Sequence, residues 1–115
     1  MGYYTYFSFN AWNENGDELD EATYSKVKAF LAEKFVEAGD DEEEAADIIN
    51  ELCDYGYEMK WYEYDGDMMA LSKQFPDVKF ELEGQGEDGS DWWVAQYWNG
   101  KTRCAWAKRP EPDLF

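Results

Sequence analysis

Residues 3–12 alternate between two unequal faces, with Phe7, Phe9 and Ala11 on one side and Tyr4, Tyr6, Ser8, Asn10 and Trp12 on the other. That period of two predicts a first strand. Asn13-Glu14-Asn15-Gly16-Asp17 reads as a turn, and Asp20 as the N-cap of a helix on which Leu19 staples onto Tyr24. The apolar spacing then changes to three and four. Tyr24, Val27, Leu31 and Phe35, with Phe30 widening the stripe, predict a helix to about Ala38 that Gly39 closes. A second helix starts at Asp40 or Asp41, with Glu42, Glu43 and Glu44 in the first turn, where the helix dipole favours acids. Ala45, Ile48, Ile49, Leu52 and Tyr55 form its apolar side, and Gly56 ends it.

Tyr57 to Tyr64 reads as a strand, with Met59 and Trp61 alternating with Lys60 and Tyr62. A short helix from Asp65 or Gly66 to Phe75 presents Met68, Leu71 and Phe75 on one side, and Pro76 stops it. Val78, Phe80 and Leu82 then alternate with Lys79, Glu81 and Glu83, and Gly84 to Ser90 reads as a loop. Asn99-Gly100, the strongest hairpin signal in the chain, joins strands over Asp91 to Trp98 and Lys101 to Lys108. The order β-α-α-β-α-β-β-β predicts one α+β domain over 1–109, with an extended tail over 110–115. Its sheet should be mixed, largely antiparallel and five-stranded, with the helices on one face. The expected core is Phe7, Phe9, Val27, Leu31, Phe35, Ile48, Leu52, Met59, Trp61, Leu71, Phe75, Val78, Phe80 and Leu82. The other sheet face should stay partly open, showing Tyr4, Tyr6, Trp12, Tyr62, Tyr64 and either Trp93 with Tyr97 or Trp92 with Trp98.

At 115 residues the chain can bury one core without a metal or disulfide staple. A negative mean hydropathy of −0.81 leans towards disorder, but 19% aromatic residues repay chain entropy and argue for a folded protein. The N-terminus lacks the basic residues and apolar run of a signal peptide, and no stretch approaches the 18 or so apolar residues of a membrane span. The expectation is a cytoplasmic protein, in the host cell if phage-encoded, with no membrane partner. In a reducing compartment Cys53 and Cys104 read as two small apolar side chains.

Charge changes the picture most. Twenty-seven acids face ten bases and no histidine, for a net of −17. Between Glu14 and Glu58 sixteen acids face three lysines, a net of −13. Such a field repels nucleic acid and anionic membrane and attracts basic surfaces. Polar aromatics on an open sheet stack flat ligands in RNA-binding domains, but those domains carry a basic footprint, and here only Lys101, Arg103, Lys108 and Arg109 cluster. No direct nucleic-acid binding is expected. The plain reading of those aromatics is a covered sheet; the functional one is a protein interface through Tyr4, Tyr6, Trp12, Tyr62, Trp92 and Trp93.

Little chemistry is available. Without histidine, and with cysteines far apart in the chain, neither a zinc site nor a histidine-based nucleophile assembles. Asn13-x-Asn15-Gly16-Asp17 opens like a calcium loop, but Glu18 and Tyr24 stand where glycine and a bidentate Glu belong. Glu81 and Glu83 read as solvated charges on one strand face rather than an acid-base pair. Gly84-x-Gly86-x-x-Gly89 leads into another strand and offers no helix N-terminus to phosphate. No enzyme activity, metal or cofactor is expected. The remaining candidate is the acidic run Asp40, Asp41, Glu42, Glu43 and Glu44, continued by Asp47, Glu51 and Asp54 at helical spacing. A charge run is ordinarily a solvated face, yet −17 exceeds the net charge of about 2–8 units that solubility needs.

From Lys60 onward Trp61, Leu71-Ser72, Phe75-Pro76-Asp77-Val78, Phe80-x-Leu82-x-Gly84-x-Gly86-Glu87, Asp91-x-Trp93 and Tyr97-x-Asn99-Gly100-Lys101 form a pattern. It resembles the C-terminal part of YubB-type, ferredoxin-like domains in small proteins of phages and mobile elements. The resemblance implies a fold and a genomic setting but no activity. Small acidic phage proteins that block host defences, anti-CRISPRs among them, are similar in size and charge. The expected function is that of a non-enzymatic inhibitor, a possible DNA mimic of anti-CRISPR or anti-restriction type. Its partner would be the basic surface of a host nucleic-acid-binding protein, contacted by the acidic run. The alternative is an accessory interaction module that binds through its aromatic sheet face, with acidity serving solubility.

Overall fold

The computed structural model describes residues 4–86 and 92–107. The elements follow the expected order: β1 (Thr5–Asn13), α1 (Glu21–Glu37), α2 (Glu42–Asp54), β2 (Tyr57–Met59), α3 (Tyr64–Gln74), β3 (Val78–Gly86), β4 (Trp92–Trp98) and β5 (Lys101–Ala107). Asp20 and Asp41 occupy the N-caps of α1 and α2 with extended backbone, although neither side chain closes a capping bond. At the end of α1, Gly39 N–H donates to Val36 O and Asp40 N–H to Phe35 O, both at 3.0 Å. This double closure needs the left-handed residue that Gly39 supplies at φ 116°.

The strands form one sheet in the order β2-β1-β3-β4-β5, and every neighbouring pair is antiparallel. The sheet is therefore antiparallel rather than mixed. Two helices rather than one separate β1 from β2, and they return the chain to start β2 antiparallel beside β1. The split βαβ unit of ferredoxin-like domains instead inserts a strand between the two strands that its helix connects. The linker Lys60–Glu63 corrects a second boundary. β2 stops at Met59 because Trp61 turns inward, its Nε1–H donating to Asp67 Oδ2 at 2.8 Å, and α3 begins at Tyr64.

All three helices cover one sheet face. Phe7 and Phe9 from β1, Val78, Phe80 and Leu82 from β3, and Trp93, Ala95 and Tyr97 from β4 are buried against Val27, Leu31, Phe35, Ile49, Leu52, Met68 and Leu71. Ile48, Met59 and Phe75, expected in the core, are half-buried at its margin. Ala45 and Ile49 on α2, Met68 on α3, and Trp93, Ala95 and Tyr97, which pair with Gly84, Leu82 and Phe80, complete it. Gly84 pairs with Trp93, and a Cβ on Gly84 would overlap the Trp93 indole. Gly84 and Gly86, read as a loop, thus lie inside a strand, and Gly84 makes room for a core tryptophan. The remainder of that segment, 87–90, and the tail 110–115 lie outside the described residues.

α3 also fixes the β4–β5 hairpin. Asn99 and Gly100 both have positive φ, 49° and 76°, as a two-residue type I′ turn requires. Gly100 N–H donates to the buried Ser72 Oγ at 2.9 Å, Tyr97 Oη donates to Asp65 Oδ1 at 2.8 Å, and Trp98 Nε1–H donates to Pro76 O at 2.9 Å. Burial, and then the hydrogen bond to Asp65 and its charge, raise the Tyr97 phenol well above its ordinary 10.0.

Two predictions follow from this packing. Phe80→Ala should cost about 3–5 kcal/mol in denaturant unfolding, because the ring is buried; a loss under about 1 kcal/mol would place Phe80 on the wrong face. A phenol with a raised folded value stabilises fully below the unfolded value and loses that contribution as pH rises. Thermal stability should therefore fall above about pH 10, and the fall should be smaller in Tyr97→Phe. An unchanged alkaline slope in that variant would contradict the latch.

Candidate functional site

α2 forms because Ala45, Ile48, Ile49 and Leu52 recur at one helical face and pack on α1, β1 and β2. That face fixes the outward one. Asp40, Asp41, Glu42, Glu43, Glu44, Asp47, Glu51 and Asp54 are all exposed, a broad acidic ridge that wraps the outward half of α2 and the turn before it. Glu43, Asp47 and Glu51 succeed one another at i,i+4, and α2 contains no basic residue. Each like-charge pair at that spacing costs about 0.2–0.5 kcal/mol, whereas Glu42, Glu43 and Glu44 in the first turn gain from the helix dipole. Among the described residues its acids enter no ion pair, the one such pair being Lys34–Glu37 on α1 at 3.6 Å.

Tyrosines continue the ridge. Tyr55, expected on the apolar side of α2, caps its C-terminus instead and is 81% exposed. Tyr6 Oη donates to Tyr55 O at 2.7 Å and lies over Gly56, which ties β1 to the end of α2. A groove of about 560 Å³ opens beside β2, bounded by Tyr4, Asp40, Glu58, Lys60, Tyr62 and Glu63. Lys60 Nζ sits 4.7 Å from the Tyr4 ring centroid. Three of the expected aromatic-face residues, Tyr4, Tyr6 and Tyr62, are thus exposed at the acidic end of the molecule.

The other expected aromatics separate from them. Trp93 is a correction: it faces the helices and is buried, stacked on Tyr64 with ring centroids 4.7 Å apart. Tyr64, expected on the open face, opens α3 instead. Trp92 and Trp98 therefore occupy the open face, as the alternate phase of β4 demands. There the register aligns Trp12 with Lys79 on β3, and Trp98 with Lys101 on β5. Lys79 Nζ lies 5.2 Å from the Trp98 ring, joining the two pairs. These four, with Glu81, Gln96 and Arg103, line a shallow groove of about 600 Å³. The signal for it was the position of each of these residues on the outward phase of its own strand, which becomes a shared row only once the register is known.

Among the described residues no group of three or more Cys, Asp or Glu side chains is placed to hold a metal ion. Asn13 Oδ1 accepts from the backbone of Asn15 and Asp17, both at 2.9 Å, so the calcium-like segment is a self-capped turn. Gly84 and Gly86 lie within β3, and Gly89 lies outside the described residues. No described helix is long and apolar enough to cross a membrane. The chain matches no family model, and neither curated proteins nor solved structures provide a match.

Both cysteines are free. Burial pushes the Cys53 thiol up to about 11, despite its hydrogen bond with Tyr24 and the nearby charge of Lys28, whereas Cys104 is exposed on β5. In dilute protein at pH 8 a thiol reagent should modify Cys104 first and Cys53 at least about tenfold more slowly. Equal rates would show that α2 does not cover Cys53.

Proposed function

We propose that the chain is a non-enzymatic binding protein of a phage or mobile element that occupies the basic nucleic-acid channel of a host protein and inhibits it, as anti-CRISPR and anti-restriction factors do. The observation that carries this reading is the meeting of two surfaces at one end of the molecule. Asp40 lines one groove with the exposed Tyr4 and Tyr62, and the exposed Tyr55, bonded to Tyr6, follows Asp54 at the end of α2. Carboxylates steer a basic partner at long range and stand where phosphates would, while tyrosines supply the amphipathic contact area that interface centres favour. The setting in a phage or mobile element rests on the resemblance of residues 60–101.

A second reading has its own observation. The row Trp12, Lys79, Trp98 and Lys101 gives the open sheet face an aromatic and cationic groove, suited to an accessory interaction module whose acids serve solubility.

In-cell cross-linking in the host, followed by kinetics with the captured partner, separates the two. On the first reading the partner binds nucleic acid, DNA or RNA competes with the chain, and association slows steeply between about 0.05 and 0.5 M salt as the Debye length contracts. Reversing Glu43, Glu44, Asp47 and Glu51 to lysine should abolish binding. Reversing Glu14, Glu18, Glu33 and Asp77, which changes net charge equally at other exposed positions, should leave most of it. Equal losses from both sets, or a salt-independent association rate, would remove the ridge from the interface and favour the sheet face.

A further inference from the structure

The two edges of the sheet differ. β2 has three residues, includes Glu58 and lies under the acidic α2. β5 has seven residues, and every side chain from Lys101 to Trp106 is exposed. A type I′ hairpin closes on a hydrogen-bonded pair, here Trp98 with Lys101, so Arg103 and Ala105 also bond inward to β4. The N–H and C=O groups of Thr102, Cys104 and Trp106 consequently point outward, away from the sheet. Their side chains share the helix-side face yet stay exposed: Trp106 is 67% exposed and, among the described residues, has Trp93 as its one ring neighbour, 6.3 Å away. Two bonds from the hairpin to α3 and one to Pro76 just beyond it hold this edge in place.

Charge indicates what fits there. Residues 92–107 contain no acid at all in a chain that has 27, and they include Lys101 and Arg103. The acidic α2 packs at the opposite edge, over β1 and β2.

We infer that β5 pairs antiparallel with β5 of a second copy, about a two-fold axis at Cys104, to make a continuous ten-stranded sheet. This register is self-complementary: Thr102 lies opposite the second copy's Trp106, and Arg103 opposite its Ala105, so no two like charges face one another. About six backbone hydrogen bonds form, and each Trp106 indole covers the other copy's Thr102. The main barrier to pairing two chains of −17 is mutual repulsion, and this edge minimises it. At about 4.8 Å per strand, nine spacings hold the two β2 edges, and with them the α2 helices, roughly 40 Å apart, several Debye lengths in physiological salt. An acidic strand from another protein is the competing occupant, and the test treats it as a contrary outcome.

Sedimentation equilibrium of the full chain over a concentration series reads the proposal. Monomer should dominate near about 1 µM and twice the monomer mass near about 200 µM, as expected for an interface below the standard size. Raising salt should tighten the dimer by screening net repulsion, opposite in sign to the salt effect on binding by the acidic ridge. Thr102→Pro, which removes an outward N–H and spares the β4–β5 ladder, should shift dimerisation at least about tenfold, and so should Trp106→Lys. Near-ultraviolet circular dichroism checks that both variants fold. In concentrated wild type, oxidised glutathione takes the two electrons as two Cys104 thiols join, and it should give a Cys104–Cys104 disulfide. Paired cysteines in this register have Cα atoms about 5.5 Å apart, within disulfide range. A monomer at about 500 µM in 0.5 M salt would overturn the proposal. So would a dimer that survives both variants and gives no Cys104 cross-link.

Discussion

Much of this molecule depends on one contact, the Trp93 indole lying on the backbone of Gly84. Only glycine leaves that space, and the indole fills it while stacking on Tyr64 of α3 at 4.7 Å. From Trp93 the aromatic packing continues to Phe7 at 6.0 Å, from Phe7 to Trp61 at 5.4 Å and from Trp61 to Phe35 at 5.1 Å, so β4, β1, the linker before α3 and α1 share one chain of rings. Aromatic pairs in edge or offset geometry contribute about 0.5–1.5 kcal/mol each beyond area burial. Because strand side chains alternate, fixing Trp93 inward fixes Trp92 and Trp98 outward and puts Trp106 on the helix side, where it stays exposed.

The same placement divides the surface. α2 lies over the β1 and β2 edge and turns its acids outward, with exposed tyrosines at its end. The hairpin at the other edge carries cations and no acids. A net charge of −17 suggests a uniformly acidic object, but the fold separates an acidic, tyrosine-bearing end from a tryptophan-bearing hairpin, residues 92–107, that itself has no acids. The two ends suit different occupants, a basic surface at the first and a second copy at the second. They respond to salt in opposite directions.

The element order was legible because Phe7-Phe9, Val27-Leu31-Phe35 and Val78-Phe80-Leu82 state their periods plainly, and Gly39 and Asn99-Gly100 punctuate them. The exposure of the eight acids was equally legible, since Ala45, Ile49 and Leu52 claim the inward side of α2. Legibility failed where long-range contacts choose between local options. Gly84 looks like part of a loop until Trp93 is seen to need its space. Trp61 alternates like a strand residue until its indole bonds Asp67. Tyr55 follows the apolar stripe of α2 but falls at the cap, where the helix has already turned away from the core. Trp92 and Trp93 are indistinguishable by composition, and only the pairing of Gly84 with Trp93 selects between them.

The phase of β4 is therefore the measurement that bears most directly on the account. In a proton NMR spectrum of the native chain, an indole stacked on Gly84 should move at least one Gly84 Hα resonance strongly upfield through its ring current, with nuclear Overhauser contacts from those protons to Trp93 and from Trp93 to Tyr64 and Phe7. Contacts from Gly84 and Phe7 to Trp92 instead, with Trp93 mobile at the surface, would contradict it: both faces of the hairpin would be exchanged, and with them the open groove and the edge presented by β5.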